Sequence, residues 1–237
     1  MFTFTNAGDG RYLWDDTTFI GRRGDIVVLP PGLPHDYGTG SEDQPWEYYW
    51  VHFIPPPQWL RWLLIPENFA EPYVCHASDS VSETRIVEAF ERLLVYYRGS
   101  QPELAQESLA EITLLAVQQY AVSMASGSDP RIGTVLQYLF QHVNEQISVP
   151  MLAEMVSMSP SRLAHLFKQQ MGDSLIQMLS KLRLRHAARL LKYTALSVGE
   201  ISVETGFQSQ FYFSRAFKHL YGVGPKEYRK QLVAEKL

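Results

Sequence analysis

Residues 148–172 read SVPMLAEMVSMSPSRLAHLFKQQMG, and residues 197–222 read SVGEISVETGFQSQFYFSRAFKHLYG. Ser148, Val149 and Leu152 align with Ser197, Val198 and Ile201 at an offset of 49. Ser159, Leu163, Phe167, Lys168 and Gly172 align with Ser209, Phe213, Phe217, Lys218 and Gly222 at an offset of 50. Each copy predicts a short helix, a tight turn and a longer helix, the helix-turn-helix layout. A single such unit is a weak signal, because any small helical hairpin resembles it. Two units joined by the basic helical stretch LIQMLSKLRLRHAARLLKYT at 175–194 are far more specific.

In the first unit the apolar face is Leu163, Leu166 and Phe167, which leaves Ser161, Arg162, His165 and Gln169 facing outward. In the second, Phe213, Ala216, Phe217 and Leu220 recur on one side, and Gln210, Phe211, Ser214, Arg215 and Lys218 lie on the other. A charged outer face is ordinarily just a solvated one. These two faces gather amide, hydroxyl, imidazole and guanidinium groups, the set that reads base edges when a helix enters a major groove. Phe211 suits either a thymine methyl or a neighbouring helix.

Charge supports a nucleic-acid partner for this half. Residues 1–130 carry 7 Lys+Arg against 18 Asp+Glu, a balance of −11; residues 131–237 carry 14 against 7, a balance of +7. The sign change suggests a basic DNA-binding half joined to an acidic half with other work. The segment MASGSDP at 124–130 is the linker signal, being small, polar and ended by proline. After it, helices are expected to begin near Pro130, Ser148, Ser159, Ser174, Ser197, Ser209 and Pro225.

The acidic half reads differently. FTFT and YLW flank the turn-like NAGDGR and predict a hairpin, and WEYYWVHF reads as an aromatic strand that IPPP ends. Helical spacing follows at Ile86, Phe90, Leu93 and Tyr97, then at Leu109, Ile112, Leu115 or Ala116, and Tyr120. The second of these helices is apolar over more than one face, so either intrachain core or a partner subunit accounts for the extra face; Leu109 and Ile112 are the expected dimer contacts. Strand periodicity puts Trp46, Tyr48, Trp50 and His52 on one face, either an aromatic core or a flat platform for a sugar. No secretory signal begins the chain, the apolar cluster WLRWLLIP is too short to span a bilayer, and Cys75 is the single cysteine, so a cytoplasmic setting is expected.

The turn GF at 206–207, FSRAFKHLYGVGP at 213–225 and YR at 228–229 carry a resemblance to the DNA-binding domain of the AraC/XylS family of bacterial transcription regulators, over about residues 131–232. The resemblance implies a seven-helix domain that binds double-stranded DNA through both units and activates or represses. In the acidic half, Gly24, Pro30, Gly32 and His35 of GDIVVLPPGLPH are similar to the second conserved motif of cupin barrels. Metal cupins add two earlier histidines and a glutamate. No histidine precedes His35 here, so no metal is expected and His35 is placed at the barrel rim.

RRGDIVVLPPGLPHDYG at 22–38, W-x3-WV-x-F at 46–53 and RLAHLFKQQMG at 162–172 extend the likeness along the chain, toward arabinose-responsive members of the family. The likeness implies a pocket containing Tyr37 and a Trp50 that stacks on the sugar. Tyr48 falls where those members have a pocket histidine, and a phenol hydrogen-bonds differently from an imidazole. The likeness starts part-way into the barrel, so the family's N-terminal arm and first strands have no counterpart in this sequence.

The fold class expected is α+β: a cupin-like β-barrel sensor with a helical dimerisation pair at 1–125, a linker at 126–130, and an all-α double helix-turn-helix domain at 131–237. The function expected is a sequence-specific transcription regulator, not an enzyme, that responds to a sugar, arabinose first and xylose or melibiose next. Its partners would be DNA, the sugar, a second copy of the chain and RNA polymerase, with no cofactor and no membrane. A cupin-type isomerase is the rival from another class; its carboxylates would be Asp25, Asp36 and Glu47, which no histidine cluster accompanies.

Overall fold

The computed structural model describes residues 1–14, 17–30, 33–41, 44–62 and 72–234. Gly32 of the barrel motif and the end of WLRWLLIP lie outside the described residues. The chain is α+β and divides into two compact units. One comprises Met1–Ile54 and Ile65–Met124; the other comprises Pro55–Leu64 and Ala125–Leu237.

Among the described residues, the first unit is built on two antiparallel sheets. Strands β1 (Phe2–Ala7), β4 (Asp25–Val28), β6 (Glu47–Val51) and β7 (Tyr73–His76) form one sheet, in the order β6-β1-β4-β7. Strands β2 (Gly10–Trp14), β3 (Thr17–Gly21) and β5 (Asp36–Thr39) form the other, in the order β3-β2-β5. The hairpin expected between FTFT and YLW is therefore corrected, because β1 and β2 lie in different sheets. β1 pairs with β4 and β6 instead, Phe2 standing opposite both Val28 and Val51. Gly8 marks the break: its φ is +69°, and a Cβ there would fall 2.2 Å from the Pro45 carbonyl oxygen. That close approach admits only glycine.

Residues Phe2 to Thr5 are buried without alternation, as expected of a strand covered on both faces. Thr3 and Thr5 are fully buried and need partners. The Thr3 hydroxyl meets the Tyr12 hydroxyl at 2.7 Å, and the Trp46 indole donates to Thr5 Oγ1 at 3.2 Å.

Among the described residues, two helices, α1 (Ser80–Arg98) and α2 (Pro102–Met124), follow the strands of this unit. The Asp79 carboxylate caps α1 by accepting from the Ser82 amide. α2 packs on β7: the Cys75 thiol contacts the Ala116 carbonyl at 3.8 Å, and Tyr73 and Tyr120 meet edge to face at 5.0 Å. Burial pushes the Cys75 thiol up to about 12. Tyr97, expected on the inner face of α1, is 78% exposed.

Among the described residues, the C-terminal part of the second unit contains seven helices: α3 (Pro130–Gln141), α4 (Val149–Met155), α5 (Pro160–Met171), α6 (Leu175–Tyr193), α7 (Val198–Glu204), α8 (Gln210–Tyr221) and α9 (Pro225–Ala234). Ser148, Ser159, Ser174, Ser197 and Ser209 are the N-caps of α4 to α8, each accepting a backbone N–H through its hydroxyl. Such a cap is worth about 1 kcal/mol. The caps of α6 and α7 are reciprocal boxes, closed by Gln177 and Glu200. Gly172 and Gly222 end α5 and α8 with φ of 78° and 77°.

The core of this unit gathers Leu184, Ala187, Leu190 and Leu191 of α6 with Ile201, Phe207, Phe213 and Phe217. Leu60, from the excursion Pro55–Leu64, belongs to the same cluster. Leu220, expected to face inward on α8, is instead 41% exposed, because it follows Phe217 round to the outer edge of the apolar stripe.

Candidate functional site

The two halves of the repeat present matching surfaces. In α5, Leu163 and Phe167 are fully buried while Ser161, Arg162, His165 and Gln169 are exposed. In α8, Phe213 and Phe217 are fully buried while Gln210, Phe211, Arg215 and Lys218 are exposed and Ser214 is half-buried. Residue by residue, 161–170 and 211–220 have the same sequence of buried, half-buried and exposed positions. His165 and Arg215 occupy the same place in it. All nine residues expected to read DNA therefore lie on, or at the edge of, the outer faces of two equivalent helices. Leu166, assigned to the inner face, is half-buried.

The α8 face has its own character. Phe211 is 79% exposed, so no packing role within this unit accounts for it. The Arg215 guanidinium lies 5.8 Å from the Tyr212 ring centroid, within cation–π distance. On the inner side, Phe213 meets Phe217 at 5.7 Å, and Phe217 meets Tyr221 and Tyr228 at 4.5 and 5.3 Å.

Several cations of this half serve the fold itself, which the charge balance alone did not reveal. Arg183 donates to the carbonyls of Val143 and Glu145 at 2.9 and 2.6 Å, holding the loop between α3 and α4. Arg229, from the YR pair, donates to the Leu191 and Thr194 carbonyls at 3.2 and 3.4 Å and so caps the end of α6. The local signal was present in that pair, but its role depends on a contact 38 residues away in sequence.

The two turns are unequal. Ser157 between α4 and α5 has φ +53°, and Gly206 between α7 and α8 has φ +77°, at the equivalent position of the repeat. A Cβ on Gly206 would lie 2.7 Å from the Asn144 carbonyl oxygen and 3.1 Å from the Arg183 guanidinium.

In the β unit, Tyr48 and Trp50 share a face of β6, and Tyr37 comes from β5 of the other sheet. Tyr48 stacks on Trp46 with centroids 3.8 Å apart and planes 11° from parallel. Tyr37 meets Tyr48 edge to face at 6.4 Å, and His35 stacks on Tyr37 at 5.9 Å. Trp50 lies two residues beyond Tyr48 on the same face of β6, is 54% exposed, and meets His52 at 5.4 Å. The structure thus brings Tyr37 and Tyr48 together, with Trp50 as an open ring on the next rung. Burial and the neighbouring Tyr37 raise the Tyr48 phenol, so it stays protonated and able to donate. Burial lowers His52, with His35 adding to the effect. His35 itself is exposed at the edge of this face, its Nδ1 2.7 Å from the Leu33 carbonyl.

Of the two expected dimer residues, Leu109 is half-buried, but Ile112 is only 3% exposed. Ile112 belongs to the core of its own unit, and its assignment as a subunit contact is corrected. The most open apolar groups of the helical pair are Val81, Val95 and Tyr97 on α1, at 67%, 65% and 78% exposed, with Leu104 and Val122 of α2 exposed to a lesser degree. Among the described residues no group of three His, Cys, Asp or Glu is placed to hold a metal ion, and no helix is long and apolar enough to cross a membrane.

Comparison with known proteins covers both units. Residues 2–115 match the AraC-like ligand binding domain, and residues 152–231 match a helix-turn-helix domain. The arabinose operon regulatory protein of Salmonella typhimurium is 30% identical over 233 residues, which cover 97% of this chain and 83% of that protein. The arabinose operon regulatory protein of Escherichia coli K12 is also 30% identical over 233 residues, covering 97% and 80%. The raffinose operon transcriptional regulatory protein RafR of Pediococcus pentosaceus is 27% identical over 229 residues, covering 89% and 77%.

Proposed function

The chain belongs to the AraC family of transcription regulators, and from that premise we propose that it binds a specific DNA sequence through α5 and α8 under the control of a sugar, L-arabinose before others. The observation that carries the DNA reading is the identical exposure pattern of 161–170 and 211–220 on two capped helices. α6 joins them and has 19 residues, a length of about 28 Å at ~1.5 Å per residue. That length is comparable to one turn of B-DNA, roughly 34 Å, which suits two helices entering successive major grooves. Ser161, Arg162, His165 and Gln169 then read one groove, and Gln210, Phe211, Ser214, Arg215 and Lys218 the next.

The sugar reading rests on Tyr37, Tyr48 and Trp50. An exposed indole offers a flat apolar face to the C–H side of a pyranose, and the phenols of Tyr48, two residues along the strand, and of Tyr37, which meets Tyr48 edge to face, would supply partners for its hydroxyl groups. Dimerisation through the helical pair, with Leu109 at its edge, would place two such readers on one operator, and contact with RNA polymerase would make the bound dimer an activator.

The test is a mobility-shift titration of the full chain on sites selected from random DNA, with L-arabinose, D-xylose or melibiose added. A single recovered sequence class, bound with a steep salt dependence and altered by one sugar, is the result expected. Failure to bind any duplex at low salt would remove the regulator reading.

A further inference from the structure

β6, the strand that carries Tyr48 and Trp50, ends at Val51, and the chain then runs through Ile54-Pro55-Pro56-Pro57. Pro56 has φ −61° and ψ 152°, the extended polyproline conformation. Three successive pyrrolidine rings fix three successive φ angles, so this stretch behaves as a stiff spacer rather than a slack loop. It leads into a short 3-10 turn, Pro57–Trp59, with Pro57 as its first residue.

The far end of the spacer is a plug. Trp59 and Leu60 are 5% and 3% exposed, whereas Ile54 at the near end is 95% exposed. Leu60 is part of the core cluster that contains Leu184, Ala188 and Leu191 of α6. Its carbonyl accepts from Arg189 Nη1 at 3.3 Å, on the same helix. His186 of α6 is buried beside Arg189 and Arg61, and its Nδ1 has no hydrogen-bond partner among the described residues. The segment is therefore folded into the DNA-binding unit at the helix that joins the two reading helices, while its other end is covalently continuous with the sugar-facing strand.

We propose that residues 54–60 act as a push-rod: a displacement of β6 on sugar binding is carried through the triple proline to the Trp59–Leu60 plug and alters α6. This rests on the sugar-sensor reading above, and it assigns the route by which occupancy of the aromatic face reaches the DNA-binding helices. A stiff rod transmits a shift of its near end, which a flexible loop of equal length would absorb.

Two variants of the full chain separate the rod from its plug. Leu60→Asp expels the plug; inserting Gly-Gly-Ser-Gly between Ile54 and Pro55 leaves the plug seated but slackens the rod. Amide hydrogen exchange is read along α6, sugar affinity by calorimetry with L-arabinose, D-xylose and melibiose, and DNA affinity with and without the sugar that binds. Leu60→Asp should raise exchange at 184–191 by tenfold or more, and the insertion should leave it at the wild-type level. In both variants the sugar should bind with unchanged affinity, while its effect on DNA affinity falls to within twofold of none.

A wild-type sugar response in the insertion variant overturns the proposal, as does unchanged exchange in α6 of Leu60→Asp. A wild-type chain that binds none of the three sugars defeats the arabinose reading instead. The exchange result then decides alone: raised exchange at 184–191 in Leu60→Asp supports the plug, and unchanged exchange overturns it.

Discussion

Replacing Gly206 with alanine should damage the second DNA-reading unit far more than Ser157→Gly, the swap at the equivalent position, damages the first. At φ +77° an alanine pays about 1–2 kcal/mol for the left-handed conformation, offset by about 0.4–1 kcal/mol because the unfolded chain is stiffened. The larger cost is steric. The new Cβ would sit 2.7 Å from the Asn144 carbonyl oxygen and 3.1 Å from Arg183, whose guanidinium holds the Val143 and Glu145 carbonyls. Backbone on one side cannot yield cheaply, and moving Arg183 weakens two hydrogen bonds from a charged donor, each worth about 1.5–3 kcal/mol. Loss of about one of them brings the total to ~3 kcal/mol.

Ser157→Gly works in the other direction: it relieves a residue already at φ +53° at some cost in chain entropy, leaving a change within about 1 kcal/mol of zero. The assay is urea unfolding of the full chain followed by helical circular dichroism, together with operator binding. Gly206→Ala should lower the midpoint of the helical transition and tilt α8 relative to α7, weakening binding to one half of the site only. A midpoint within experimental error of wild type would refute the geometry given to this turn, and equal losses at both halves would refute the assignment of α8 to one half.

Other perturbations test other links. Arg215→Ala and His165→Ala should each relax base preference at one position, by about 1–3 kcal/mol of discrimination, as read from sequences selected by each variant. Lys192→Ala, at the end of α6, should instead weaken all sequences alike; unchanged preferences in both of the first two variants would reduce α5 and α8 to positioning elements. Trp50→Ala should abolish sugar binding in calorimetry without altering DNA affinity in the absence of sugar, and Tyr48→His should shift preference toward L-arabinose. His186 is held near 3, against an ordinary value of 6.5, by burial and by the charges of Arg189 and Arg61. The unfolded chain therefore takes up a proton below pH 6.5 that the fold refuses, and stability is lost as pH falls from 6.5 toward 3, at up to ~1.4 kcal/mol per pH unit. Urea midpoints at pH 7.5, 6.5 and 5.5 measure this, and His186→Gln should flatten the dependence.

What could be read in the sequence was local. Ser148, Ser159, Ser174, Ser197 and Ser209 announce helix starts because a cap acts on its own first turn, and all five are caps in the structure. The outward faces of α5 and α8 followed from a period of 3.6 residues fixed by Leu163, Phe167, Phe213 and Phe217. Pairing across distance was not legible. β1 and β2 look like a hairpin because a turn sequence lies between them, but strand partners are chosen by packing, and each found its neighbours in a different sheet. Ile112 has the same apolar period whether it faces its own core or another subunit, so periodicity alone did not distinguish the two. The burial of Leu60 against α6 joins residues more than a hundred positions apart, which no local pattern signals.

The buried thiol of Cys75 has a practical side. It is the chain's only cysteine, lies 2% exposed under α2, and has its ionisation pushed up to about 12, so at neutral pH almost none of the reactive thiolate is present. A cysteine introduced on the surface would therefore label selectively with a maleimide dye, without first deleting a native one. Paired positions such as Tyr97 and Val203, both open to solvent and neither on the DNA-reading faces, would accept a donor and an acceptor fluorophore and let the separation of the two units be followed in single molecules as sugar or DNA is added.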